Sequence, residues 1–550
     1  MMEGFGHFCL PARATAGERA GRRRSLERRR ADYEWRIEPG LPSAIRTMPK
    51  AERFSLRKSA AFAVGFARAA LHVSLATPRV LASSWGSLGS YDRLVPLGPE
   101  PRAREVWRSD VWFARQRLTG INPTVIELCR ELPEKLGDPQ GRAGLRALLE
   151  RVIGEMSLDQ AFAEERMFVC DYAELDQIPC VEGRYMAAPV ALFYLRRDGV
   201  LAPVAIQLMQ SPGQTPVFTP LDARLDWLAA RTFLQSADAH QHQFVGHLLR
   251  CHYELEAFVI AARRQLADEH PVAELFAPHF RWLFAVNAIA RDQAASDHGT
   301  FGRMKSTGMI GGDVLMRRVH RRPFAERTFR RTLSERGVLD RKVLPGYWFR
   351  DDALALHGAI ERYVEAILRR VYPEPQALAC DDEIQAWAAE LVSPEAGRVS
   401  GLPGDGVFES REQLSAVCVE LIFRATAWHA ALSNGQFEAY AHVINMPHGL
   451  YRPPPESRGS VDEAWLASLV TRRHAVEQVA ATYAAGSEPL YTLLSPKSGQ
   501  WRGSSVGLAA RATFARELLE IQSTIRARAR TDVFAYTELD PLRVAEGVTV

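Results

Sequence analysis

Residues 240–252 read HQHQFVGHLLRCH, which places four of the chain's fifteen histidines, His240, His242, His247 and His252, within thirteen consecutive positions. The stretch lies inside a longer segment, Leu225 to Leu266, whose apolar residues recur at helical spacing. A single histidine on an apolar helix face is ordinarily a satisfied core residue. A cluster shifts the balance toward a metal, because neutral imidazole suits many transition metals. His242, His247 and His252 recur every five residues. On a regular α-helix a five-residue step turns roughly 500°, so successive side chains point about 140° apart and cannot share one ion. A π-turn, with i→i+5 bonding, would align them, and such turns occur mostly at functional sites. The spacing leaves open whether His242/His247 or His247/His252 is the pair brought together. The HExxH pattern of zinc proteases is absent, which argues against a zinc hydrolase.

Outward from this stretch, helical periodicity dominates: Tyr347 to Val371, Arg411 to Leu432 and Leu508 to Arg526 all carry it, and the fold class is mainly α. The Arg411 segment opens on Ser410 with Gln413 three residues later, a capping-box pattern. Its stripe of Leu414, Val417, Cys418, Leu421, Ile422, Ala425 and Leu432 puts His429 on a buried face. Short extended runs at Met167 to Cys170, Ala188 to Leu195 and Val204 to Leu208, the last two flanking a turn at Arg196 to Gly199, predict a small β-sheet beside the helical body.

With 550 residues, 47% hydrophobic and 24% charged, the chain has ample material for a large core. The seven cysteines are scattered and odd in number, without CxxC spacing, and read as free thiols in a reducing, cytoplasmic setting. A net charge of +4 does not make a nucleic-acid binder. The charge is uneven, however: eight arginines fall between Arg13 and Arg30. Residues 1–58 therefore read as a basic, disordered extension, with contact to anionic lipid or a start at Met48 as alternatives. Residues 59–100 follow as an apolar helical segment. Ala60 to Ala76 is too short to span a bilayer and carries Arg68 and His72, which suits a lid or a membrane-surface helix better than a span. Residues 101–550 read as one catalytic domain.

The stretch from Trp227 through HQHQFVGHLLRCH to HPVAELFAPHFRW (270–282) resembles the metal-binding region of lipoxygenases. DVWFARQRLTGINP (110–123), APVAIQL (202–208), PVFTP (216–220), YWFRDDALALHGAI (347–360), SREQLS (410–415), HAALSNGQF (429–437) and RPPP (452–455) resemble further segments of that family, in the same order. The resemblance runs from about residue 100 to the last residue and implies the single-domain, bacterial-type form, without the N-terminal β-sandwich of animal and plant members.

What the resemblance implies is a non-haem iron dioxygenase, with manganese as an alternative metal. The metal ligands would be His247, His252, His429, Ser433 and the terminal carboxylate of Val550, while His242, His270 and His279 would be structural. Ser433 stands where many members have Asn. Gln243 and Gln436 resemble the glutamines that orient the ligands. The substrate would be a polyunsaturated fatty acid of linoleate or arachidonate type, with O₂ as co-substrate. Hydrogen would be removed by a metal-bound hydroxide, with no separate side-chain base. Val286, Ala294, Phe301 and Met304 align with the substrate channel; Ala294 replaces a usual bulky Leu, and Met304 replaces the usual Ala or Gly. The expected assembly is a monomer.

Overall fold

A computed structural model of the chain describes residues 10–11, 14–83, 85–95, 100–137, 141–294, 299–485, 489–497, 499–501 and 504–548, apart from the side chains of 293, 294, 301 and 485. The architecture is a helical body with a small sheet at one side, as the periodicities require.

The organising element is a nearly continuous helix built from Arg224–His240, a π-helical stretch Gln241–Tyr253, and Glu254–Gln265. It is buried on almost every face, which is the signature of a helix at the centre of a large domain. Trp348–Val371 packs against both Ser505–Ala529 and Arg411–Phe423. The helix Gly308–His320 crosses the π-stretch so closely that a Cβ at Gly312 would fall 2.3 Å from the Phe244 ring. Here a glycine is required by contact.

Four strands form an antiparallel sheet in the order Glu127–Leu128, Met167–Asp171, Val190–Leu195, Leu201–Gln207. The expected turn joins the last two: Leu195 pairs with Leu201, Arg196 N–H donates to Val200 O at 3.0 Å, and Gly199 takes a φ of +82°. Pro203 is tolerated because its strand ends the sheet's hydrogen-bonded order.

The N-terminal expectation needs correction. The arginine-rich run is not disordered but forms the helix Ala16–Asp32, started by a complete capping box between Thr15 and Glu18. Arg22 makes a bidentate pair with Glu383 at 2.8 and 2.9 Å, and Arg29 donates to Leu266 O at 3.1 Å. Arg22, Arg29 and Arg30 dock the helix on partners more than two hundred residues away, which no local pattern reveals, while Arg23, Arg24 and Arg28 stay exposed. A two-stranded ribbon, Trp35–Arg36 with Ala44–Ile45, follows.

The apolar segment is the helix Leu56–Leu81, long and apolar enough by composition to cross a membrane. It instead lies along Arg472–Ala485, with Gly65, His72, Ala76 and Val80 turned inward. A Cβ at Gly65 would stand 3.1 Å from Ala484 O, so a small residue sets the helix separation. Val64, Phe66, Leu71, Val73, Leu75 and Leu81 are exposed.

Candidate metal centre

The five-residue spacing predicts a π-turn, and the π-helix Gln241–Tyr253 supplies it. Within it, His247 and His252 are brought together: their Nε2 atoms are 3.2 Å apart. His429 joins them from the short helix His429–Ser433, its Nε2 3.3 Å from that of His247. A second π-turn, Arg424–Trp428, precedes His429; nothing in the local sequence announced it. The ligand atoms of the three histidines all lie within 4.8 Å of one another, and all three rings are buried.

His242 is excluded by its hydrogen bonds. Tyr440 Oη–H donates to His242 Nδ1 at 2.6 Å, and His242 Nε2–H donates to Leu432 O at 2.8 Å, so both nitrogens are used. His270 accepts from Val272 N–H and bonds Asp381 at 3.0 Å, and His279 Nδ1–H donates to Glu546 O at 2.7 Å. These are structural histidines, as expected.

The converging nitrogens call for a cation. His252 Nδ1–H donates to Asn287 Oδ1 at 3.0 Å, leaving Nε2 as a bare lone pair. The Gln243 amide stands 3.3 Å from His247 Nδ1; with its oxygen turned to that atom it accepts the Nδ1–H and frees His247 Nε2 in the same way. Burial pushes the His247 pKa well below 6.5, reinforced by His252 and His429. Burial likewise lowers His252 to about 4, against a smaller opposing effect of the Asn287 bond. The rings are therefore neutral. Two imidazole nitrogens about 2.1 Å from one ion, at about 90–110°, lie about 3.0–3.4 Å apart, which the observed separations match.

Ser433 Oγ lies 3.0 Å from His247 Nε2 and 3.3 Å from His429 Nε2. Gln436 lines the adjoining cavity and, among the described residues, makes no hydrogen bond to a ligand ring. Val550 lies outside the described residues. The segment before it is docked: Glu546 N–H donates to Tyr491 O at 3.0 Å, Leu493 N–H to Val544 O at 3.0 Å, and Val548 is fully buried.

Against the histidines lies a largely apolar cavity of about 320 Å³, lined among others by Phe62, Phe66, Leu248, Val286, Ile289 and Met304. Val286 and Met304 were expected there; the side chains of Ala294 and Phe301 lie outside the described residues. Phe62 and Phe66 come from the Leu56–Leu81 helix, so that helix closes one side of the cavity.

Asn287 escaped sequence reasoning because a lone asparagine carries no signal. The helix Leu283–Ile289 presents it. Its amide nitrogen donates to His252 O at 3.2 Å and to Glu256 at 2.5 Å, and Glu256 is fixed by Arg291 at 2.7 Å. Trp282 starts that helix in a left-handed conformation, φ +69°, stacked on Tyr491 with centroids 6.1 Å apart. A tryptophan pays about 1–2 kcal/mol for that backbone, and the stack helps offset it.

The sequence profile of the family described as Lipoxygenase matches residues 99–535. Polyunsaturated fatty acid lipoxygenase ALOX15B of Homo sapiens is 30% identical over 550 residues, covering 96% of this chain and 80% of the relative. A lipoxygenase crystal structure in complex with arachidonate superposes with a TM-score of 0.92 at 28% identity, covering 99% of this chain and 84% of that one. The manganese lipoxygenase of Gaeumannomyces graminis shares the fold, with a TM-score of 0.81 at 22% identity over 98% of this chain and 100% of that one. The chain belongs to the lipoxygenase family.

Proposed function

We propose that this chain is a non-haem iron dioxygenase that removes a bis-allylic hydrogen from a polyunsaturated fatty acid and adds O₂ to form a lipid hydroperoxide. The observation that carries the reading is the convergence of three buried imidazoles, their Nε2 atoms 3.2–3.3 Å apart in neighbouring pairs, on the wall of a largely apolar cavity. A relative named as a polyunsaturated fatty acid lipoxygenase and a neighbour holding arachidonate support the substrate class.

His247, His252 and His429 would hold the metal, with Ser433 Oγ beside it and the Val550 carboxylate as the anionic ligand that a set of imidazoles does not itself supply. When bound, the metal supplies a one-electron oxidation coupled to proton removal at the bis-allylic carbon. This chain's residues do the rest. Asn287 and Gln243 hold the imidazole tautomers and ring orientations, and such outer partners typically matter 10–100-fold for metal affinity. Leu248, Val286, Ile289 and Met304 grip the acyl chain, while Phe62 closes that side of the cavity over it.

The Leu56–Leu81 helix adds a membrane-surface role. Its inner aromatic residues face the cavity and its outer apolar residues face solvent, so a lipid surface on the outside would feed acyl chains inward.

Metal analysis of the purified protein, with diene absorbance and chiral product analysis on linoleate and arachidonate, tests the reading. Iron near one per chain and a hydroperoxide product are expected. Zinc with no diene would overturn it, and manganese with a diene would correct the metal alone.

A further inference from the structure

Beside Met304 the cavity wall turns polar, and none of the chemistry above uses it. His448 lines the cavity, is 4% exposed, and among the described residues has no hydrogen-bond partner on either ring nitrogen. Its position is set by its backbone, whose N–H donates to Gln478 at 2.9 Å and whose carbonyl accepts from Ser306 N–H at 3.0 Å. Its ring meets Tyr440, another wall residue, edge to face with centroids 4.4 Å apart.

Lys305 lies behind this pair. It is fully buried, its Nζ stands 5.7 Å from the centroid of the same Tyr440 ring, and burial without a counter-charge holds its pKa well below the usual lysine range. One of its donors reaches Ala239 O at 3.2 Å, and among the described residues no carboxylate forms an ion pair with it. With Tyr451 Oη donating to His474 Nδ1 at 3.2 Å, the proton of that ring stands on Nε2, which is buried without a partner. His474 belongs to the same place: a Cβ on Gly449, the residue after His448, would fall 2.5 Å from His474 Cε1 and 2.6 Å from Met304 O.

The inventory of groups is lopsided. Lys305 keeps donor capacity beyond its bond to Ala239 O, His474 has one N–H donor, and His448 has one in either neutral tautomer. The bare ring acceptors beside them are two, His240 Nε2 and the second nitrogen of His448. Buried donors without acceptors are costly, and a surplus of them at the end of a cavity suits a ligand that only accepts.

We propose that His448, with Lys305 and His474 behind it, anchors the carboxylate of a free fatty acid. This rests on the fatty-acid reading above and adds an orientation to it. The acid enters head-first, its carboxylate innermost, because His448 and Met304 are buried while Phe66, which also lines the cavity, is 46% exposed. A carboxylate offers only acceptors, and its negative charge favours the protonated form of Lys305 that burial alone disfavours, so the bonds formed are charge-assisted. A methyl ester lacks the charge, and a phospholipid head, whose phosphate is anionic, lacks the small size.

The test is anaerobic titration of the metal-loaded full-length protein with linoleate, methyl linoleate and linoleyl alcohol, followed by turnover of each. Linoleate should bind at least about tenfold more tightly than the ester. Lys305→Met should bring that ratio close to one, with the ester affinity changing less than the acid's. His448→Phe, at the cavity surface, should do the same and covers the case in which the lysine variant does not fold. Equal affinity of the wild type for acid and ester, or a ratio that survives both substitutions, overturns the anchor. Equal turnover of acid and ester leaves the dioxygenase reading standing and removes only the anchor, whereas no diene from any of the three removes both.

Discussion

At the scale of single residues, the metal centre separates histidines by what their two nitrogens do. His242 spends both on Tyr440 and Leu432, while His247 and His252 spend only Nδ1. His247→Ala, His252→Ala and His429→Ala should each abolish metal retention and diene formation, and His242→Ala should keep its metal, as read by metal analysis of the folded variants. Asn287→Ala should weaken metal binding about 10–100-fold by releasing the His252 ring. A metal-competition titration would show this, and an unchanged affinity would mean that packing alone orients the ring. Ser433→Asn should preserve or raise activity, because the longer amide reaches the same space with a better donor oxygen.

At the scale of elements, the five-residue histidine spacing was readable because α-helical geometry forbids those side chains from sharing an ion, so the local helix had to change. The second π-turn at Arg424–Trp428 left no such trace, since only one histidine follows it. The Leu56–Leu81 helix was legible as apolar and surface-seeking, but its role in closing the cavity depends on Gly65 meeting Ala484, a contact across four hundred residues. If its outer face meets lipid, Val64→Asp with Leu71→Asp should reduce co-sedimentation with phosphatidylcholine–phosphatidylglycerol vesicles several-fold, with metal content unchanged. Equal sedimentation of variant and wild type would show that this face serves no membrane.

At the scale of the whole molecule, the chain end is tied to the centre of the sequence. Gly547 packs so tightly that a Cβ there would fall 2.2 Å from His279 O, and the His279 ring donates to the carbonyl just before it. A polar tag added after Val550 should cost metal and turnover, while Val550→Ile should remain active. A tagged protein with full metal and full turnover would refute the terminal carboxylate as a ligand. Burial lowers His279 from 6.5 to about 4, partly offset by its bond to Glu546 O. A histidine buried neutral stabilises fully above its unfolded pKa, and that contribution is lost as pH falls from about 6.5 toward 4. Urea midpoints should therefore drop between pH 7 and pH 5 by more in the wild type than in His279→Asn.

The sequence by itself determined the helical class, the hairpin, the π-turn and the family, because each rests on a local period or on an ordered series of motifs. Spacing left the histidine pair open and the family resemblance named it; only the tertiary structure decided that the arginine-rich segment is a docked helix, that Asn287 orients a ligand ring, and that Lys305 and His474 stand near His448 at the cavity wall. These depend on contacts between residues 35 to more than 350 positions apart, and burial, which fixes protonation and leaves donors without acceptors, is a property of those contacts and not of any single stretch of chain.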